Sequence, residues 1–231
     1  MTFKNLYHWY HVYAAGDWVP IVDEHLWTLR TYGLYDNLEH MFIGFVGSSE
    51  QVAAAKAYIA DKGIEFTACA EAAQGWEQVT QQHLWEFSQD HDGYCLYAHT
   101  KGAALPVPHL SDQWRRHMAW HTICQWRDVL QRLEDGARIA GCHWIDTPHY
   151  GIEHHHGHVL PSLGIFGGNF WWTRLEEIRS AHEVQLENRY CAEHWIGQRN
   201  PPLQISEVAI LDGPGRGVGH YHPHEIDWYK P

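Results

Sequence analysis

The sequence is short of basic charge, of paired cysteines and of long apolar runs. Lys and Arg number 16 against 28 Asp and Glu, a formal net charge of −12. A general binder of nucleic-acid backbone needs the opposite balance, because it must displace counterions from phosphates. A local basic pocket for a single diphosphate stays open. The five cysteines, Cys69, Cys95, Cys124, Cys142 and Cys191, are widely spread and contain no C-x-x-C. Neither a zinc ribbon nor a disulfide framework is signalled, and the expected state is buried free thiols. No stretch approaches eighteen uninterrupted apolar residues, so no membrane span is expected. The first residues lack the basic start, apolar middle and small-residue cleavage site of a signal peptide, and a cytoplasmic location is the expectation. No internal repeat or low-complexity linker divides the chain.

What remains is ordinary globular material with two excesses. At 231 residues, 45% hydrophobic and 19% charged, the chain can bury a sizeable core. Its 13 Trp and 21 His stand out. Trp and His faces stack on bases and sugar rings, and His also carries protons or binds metals.

Strand-like and helix-like segments alternate. Leu6–Ala15 reads as a strand ending at Gly16-Asp17, and a helix follows from Pro20 to Tyr32. Met41–Val46 reads as a buried strand, Glu50–Lys62 as an Ala-rich helix, Ile64–Ala70 as a strand and Glu77–Gln89 as a helix. Tyr94–His99 is the next strand, Asp112–Leu133 one long helix, and Ile139–Ile145 another strand. Leu163–Thr173 holds a strand broken at Gly167-Gly168, two short helices follow (Leu175–Ser180 and Arg189–Gly197), and Glu207–Leu211 is the last strand. The pattern predicts an α/β fold, a mostly parallel twisted sheet flanked by helices. Ligands of such sheets sit beyond the carboxyl ends of the strands.

Four segments carry candidate chemistry. At the end of Tyr94–His99, the run His99-Thr100-Lys101-Gly102 offers an imidazole, a hydroxyl, an ammonium and a flexible glycine, suited to a phosphate. A surface Lys-Gly turn is the plain alternative. Gly167-Gly168-Asn169 allows close backbone approach beside a donor-acceptor amide, and the adjacent Trp171 and Trp172 should point to opposite faces. Glu193, beside His194 on a short helix, could act as a general base or simply face water. The histidines at 149, 154, 155, 156 and 158, and those at 220, 222 and 224, raise metal binding. H-E-x-x-H is absent, however, and the alternating His220 and His222 are the weak metal candidates.

Taken in order, L-Y-x-H-T-K-G (Leu96–Gly102), W-R-x-x-M (Trp114, Arg115, Met118), G-C-H-W (Gly141–Trp144), G-G-N-F-W-W (Gly167–Trp172) and R-Y-x-A-E-x-W-I-G (Arg189–Gly197) form a pattern. It resembles a group of bacterial and phage glycosyltransferase-like proteins with a GT-A-type fold. The resemblance covers roughly residues 90–200 and implies one GT-A-like domain over 1–231. Its nucleotide-binding half would span about 1–102, and its acceptor side, with a C-terminal tail, about 103–231. It implies transfer of a sugar from a nucleoside-diphosphate sugar to a hydroxyl of a carbohydrate or other acceptor, a modified nucleobase being less favoured by the acidic charge. Ala14, Ala15, Gly16, Asp17, His99, Thr100, Lys101, Gly102 and Arg115 would hold the donor. His143, Trp144, Gly168, Asn169, Trp172 and Trp195 would contact sugar or acceptor. Glu193 would be the base. The Asp-x-Asp that binds Mn or Mg in that fold is replaced here by His99-Thr100-Lys101. This counts against a divalent cofactor and gives Lys101, with Arg115, the task of stabilising the leaving diphosphate. Two other readings are a non-catalytic sugar- or nucleotide-binding module, and a metal hydrolase using His143 and the histidines at 154–158.

Overall fold

The structure is a computed structural model that describes residues 3–105, 110–146, 163–199 and 201–212. Three strand–helix units come first: β1 (Leu6–Tyr13) and α1 (Val19–Thr31), β2 (His40–Val46) and α2 (Ser49–Asp61), β3 (Thr67–Ala72) and α3 (Gln78–Ser88). β4 (Tyr94–His99) leads to α4 (Leu110–Ala119), a π-helical segment (Trp120–Cys124) and α5 (Trp126–Glu134). Then come β5 (Ile139–Gly141), β6 (Trp144–Asp146), β7 (Gly164–Phe166) and β8 (Trp171–Arg174). α6 (Leu175–Arg179), α7 (Tyr190–His194) and β9 (Val208–Ile210) complete the described elements.

Seven strands form one sheet in the order β3-β2-β1-β4-β8-β5-β9, and β6 pairs with β7 in a separate antiparallel ribbon. β8 runs antiparallel to both β4 and β5, so the other six strands share one direction. The mostly parallel, helix-flanked sheet expected from the sequence is the sheet observed, and it draws strands from both halves of the chain.

Period-2 alternation gives the sheet two apolar faces. Leu6, Tyr10, Val12, Leu96 and Trp172 join a core with residues of α1, α2, α4 and α5, such as Leu29, Ile59, Met118 and Leu130. Tyr7, Trp9, Tyr97 and Trp171 join a second core with Leu84 of α3 and Leu175 of α6. Trp9, Trp171, Trp172 and Trp195 are each wholly buried. Removing ~150–250 Å² of such a side chain from water is worth about 4–6 kcal/mol gross. Much of the tryptophan excess therefore serves the core.

Three expected elements differ from those observed. The long helix over Asp112–Leu133 is interrupted by the π segment. There the indole N–H of Trp172 donates to the Thr122 carbonyl at 2.7 Å, and the Thr122 hydroxyl donates back to the Met118 carbonyl at 2.7 Å. Side chains thus occupy carbonyls that a regular helix would use itself. The strand expected over Ile139–Ile145 breaks at Cys142-His143, because His143 takes a left-handed φ of 56° and its N–H turns to the Asp212 carboxylate. β3 starts later than expected, as an edge strand whose ladder with β2 shifts register between Ile43 and Gly44.

A buried ion-pair network joins α1 to α4. Glu24, 3% exposed, accepts from Arg115 Nε at 3.1 Å and from Arg116 Nε at 2.8 Å, while Arg115 also reaches Asp112 at 2.8 Å. Removing one partner of such a network strands the other's charge. Glu24→Ala is expected to destabilise the chain by about 3 kcal/mol, read from the shift of its urea midpoint. A loss below about 1 kcal/mol would show that Asp112 alone suffices for Arg115.

Candidate functional site

Because β8 is the one reversed strand of the main sheet, the carboxyl ends of β1, β4, β5 and β9 and the start of β8 share one edge. The loops there touch. The backbone N–H of Asp17 donates to the Ala103 carbonyl at 2.8 Å, and a Cβ on Gly16 would fall 1.9 Å from the same oxygen. Only glycine lets the β1 loop lie against the β4 loop this closely. The Thr100 hydroxyl accepts from the Tyr13 N–H at 2.9 Å, fastening the two strand ends. Ala14 is buried, whereas Ala15 and Asp17 are exposed on this edge.

His99 ties the end of β4 to the turn before β8. Its Nε2 lies 2.9 Å from the Gly168 carbonyl, which can only accept, so Nε2 carries a hydrogen. Its Nδ1 lies 3.2 Å from Glu77 Oε1. A proton on either the carboxyl or the ring would join these two atoms. Burial is the main cause of both shifts, pushing the Glu77 carboxyl up to about 7 and the His99 imidazole down to about 3. Burial thus favours the uncharged form of both groups. Glu77 Oε2 accepts from Asn169 Nδ2 at 2.6 Å and from the Tyr97 hydroxyl at 3.2 Å. Asn169 also receives the Trp171 indole N–H at 2.7 Å and donates to the Ala192 carbonyl at 3.3 Å. That last bond brings α7, with Glu193 the next residue, to the same cluster.

Gly168 has a φ of 89°, and a Cβ there would meet Met118 Sδ at 2.6 Å. The turn thus packs directly on α4. Trp114, one turn away on the same face of α4, would stand 3.1 Å from that Cβ, and the Lys101 ammonium lies 4.3 Å from the centre of its ring. Arg115 is 5% exposed, and its Nη1 donates to the Lys101 carbonyl at 3.0 Å. It holds the lysine loop from within instead of reaching outward. The end of β4 presents an ammonium where a pair of carboxylates would be needed for a divalent cation, so these residues do not fit a metal.

A second group lies beyond Trp114, whose ring centre is 6.0 Å from that of His143. His143 Nδ1 and His117 Nε2 approach Asp212 Oδ2 at 3.1 and 3.6 Å. All three residues are buried. Burial pushes the His143 imidazole down to about 4. Burial alone would raise the Asp212 carboxyl, but the nearby His117 and His143 imidazoles and the His143 backbone N–H hold it below its ordinary value.

No protein-family model matches the chain, and no curated protein matches it. Among solved structures it is similar to a CMP:2-keto-3-deoxy-manno-octonic acid synthetase complexed with CTP, at 8% identity and a TM-score of 0.41, over 82% of each chain. It is also similar to a 4-diphosphocytidyl-2C-methyl-D-erythritol synthase, at 12% identity and a TM-score of 0.37, over 96% of this chain and 95% of the other. Likeness this slight carries no residue, substrate or reaction across to this chain.

The remaining sequence candidates are distributed unevenly. Trp172 and Trp195 are wholly buried, their indole N–H groups donating to the Thr122 and His182 carbonyls. Neither leaves a face for a sugar. Trp144, 7% exposed, packs edge-on against Phe166 in the β6–β7 ribbon. Asn169, 1% exposed, spends both ends of its amide inside the protein, so its part is positioning. Glu193 is half-buried. His220 and His222, and the histidines at 149–158, lie outside the described residues.

Sequence reasoning passed over Glu77, His117 and Asp212. Each carried a signal: Glu77 opens the helix after β3, and Asp212 directly follows the last strand, both positions that the topology sends to the ligand edge. Trp114, His117, Met118 and His121 follow the i, i+3, i+4, i+7 spacing of one helix face.

Proposed function

We propose that the chain transfers a sugar from a nucleoside-diphosphate sugar to an acceptor hydroxyl, at the edge formed by the ends of β1 and β4. The observation that carries this reading is the 2.9 Å contact of His99 with the Gly168 carbonyl. It joins the two motifs, His99-Thr100-Lys101-Gly102 and Gly167-Gly168-Asn169, on which the resemblance chiefly rests.

In this reading the exposed Ala15–Asp17 loop takes the base and ribose, with the Asp17 carboxylate accepting from a ribose hydroxyl. The diphosphate lies against Lys101 and the backbone of Gly102. As the bond from sugar to diphosphate breaks, negative charge grows on the leaving oxygen, and a fixed ammonium lowers the energy of that state. Glu193 takes the proton of the attacking hydroxyl. Glu77, His99 and Asn169 keep the β4 end, the turn before β8 and α7 in register. Arg115 acts through the Lys101 carbonyl and does not touch the donor.

The test is release of nucleoside diphosphate from a panel of nucleotide sugars, with and without EDTA. Release from at least one donor, undiminished by EDTA, is the expected result. Absence of release and of binding across the panel at millimolar concentration would refute the reading.

A further inference from the structure

We propose that His117, His143 and Asp212 form a binding site for one divalent transition-metal ion, of the kind favoured by imidazole and carboxylate. The three come from α4, from the break between β5 and β6, and from the end of β9, and meet only in the folded chain. Each offers a ligand atom, and these atoms all lie within 4.8 Å of one another. Both imidazole nitrogens lie near the same oxygen, Asp212 Oδ2, at 3.1 and 3.6 Å. Ligand atoms around a tetrahedral zinc-like ion, about 2.0–2.1 Å from the metal, stand about 3.3 Å apart. The two measured separations bracket that figure, so these pairs need little movement to share an ion.

The backbone is arranged for the same end. His143 occupies the left-handed region at a φ of 56°, a conformation that costs a residue with a Cβ about 1 kcal/mol or more. That turn interrupts the strand and points the His143 N–H at both carboxylate oxygens, at 3.1 and 3.2 Å. The N–H fixes the orientation of Asp212, as supporting hydrogen bonds do at metal sites. Two imidazoles and one carboxylate suit zinc and its neighbours in the first transition row, and suit magnesium and calcium poorly. Three protein ligands leave one position of a tetrahedron for water or a substrate oxygen. None of the three belongs to the end of β4, although the Trp114 ring neighbours both groups, its centre 6.0 Å from that of His143 and 4.3 Å from the Lys101 ammonium.

The test is titration of the EDTA-dialysed full chain, free of any affinity tag, with Co²⁺ followed by visible absorption, and with Zn²⁺ followed by thermal midpoint. One equivalent of Co²⁺ is expected to bind with a distinct d–d band, and Zn²⁺ is expected to raise the midpoint. His117→Gln and Asp212→Asn are each expected to weaken binding at least about 100-fold, while a triple alanine variant of His154, His155 and His156 keeps the site. Far-UV circular dichroism identifies any variant that fails to fold, and the other single variant then decides. Loss of the equivalent in the triple variant, its survival in a folded His117→Gln or Asp212→Asn chain, or no binding below millimolar metal would overturn the proposal.

Discussion

Between about pH 7 and pH 5 the folded chain is expected to lose at least about 4 kcal/mol of stability. The loss comes from imidazoles buried in neutral form. His8 is wholly buried, and its Nδ1 lies 3.1 Å from the Leu96 carbonyl, so that nitrogen carries the hydrogen. Its one remaining lone pair, on Nε2, accepts from His25 Nε2 at 2.8 Å. Protonating it would set two N–H hydrogens against each other. Burial accordingly holds His8 down to about 4, and His25 is held well below its ordinary value by burial, by His8 and by Arg115. His11, 3% exposed and 2.8 Å from the Thr80 hydroxyl, is pushed down to about 3 by burial and by His99. In the unfolded chain each ring titrates near 6.5. Below that pH the unfolded chain binds protons that the folded chain refuses, so stability falls as pH falls, down to the folded values. His8 and His11 each contribute roughly 2 kcal/mol over this interval, and His25 adds to the loss in the same direction. The His99–Glu77 pair adds little, because the raised carboxyl gains in acid about what the depressed imidazole loses. Urea midpoints at pH 7, 6 and 5 check this, and a stability independent of pH would show that these rings are already charged.

Lys101→Ala is expected to lower turnover of the accepted nucleotide sugar about 10²- to 10³-fold, the usual cost of removing one fixed group that meets developing charge. The ammonium is anchored over Trp114 and lies on the edge where the β1 and β4 loops meet. It is half-buried, so its removal should change stability by less than about 1 kcal/mol. Steady-state diphosphate release, with the thermal midpoint as a control, separates the two effects. An unchanged rate in a folded variant would remove Lys101 from the mechanism.

The sheet was legible because its strands carry the apolar runs and alternation that burial on two faces demands, as in Met41–Val46 and Tyr94–His99. Topology alone could bring the ends of β1 and β4 to one edge of the sheet. Other features depend on contacts across long stretches of sequence. The π segment at Trp120–Cys124 depends on an indole fifty residues away. The break in the strand expected over Ile139–Ile145 depends on a carboxylate sixty-nine residues away. Glu77 reads as a plain helix start until Asn169, Tyr97 and His99 close round it. Trp172 and Trp195 look like sugar platforms in sequence because aromatic rings serve cores and carbohydrates equally well. Only burial separates the two uses.

Calorimetric titration of the wild-type chain and of Lys101→Ala with matched nucleoside mono- and diphosphates tests most directly whether the β1–β4 edge holds a diphosphate at Lys101. The account expects the wild-type chain to bind the diphosphate at least about tenfold more tightly, a difference near 1.4 kcal/mol, and expects the variant to lose that preference. Equal affinity for the two nucleotides in the wild-type chain, or a preference that survives in Lys101→Ala, would contradict it.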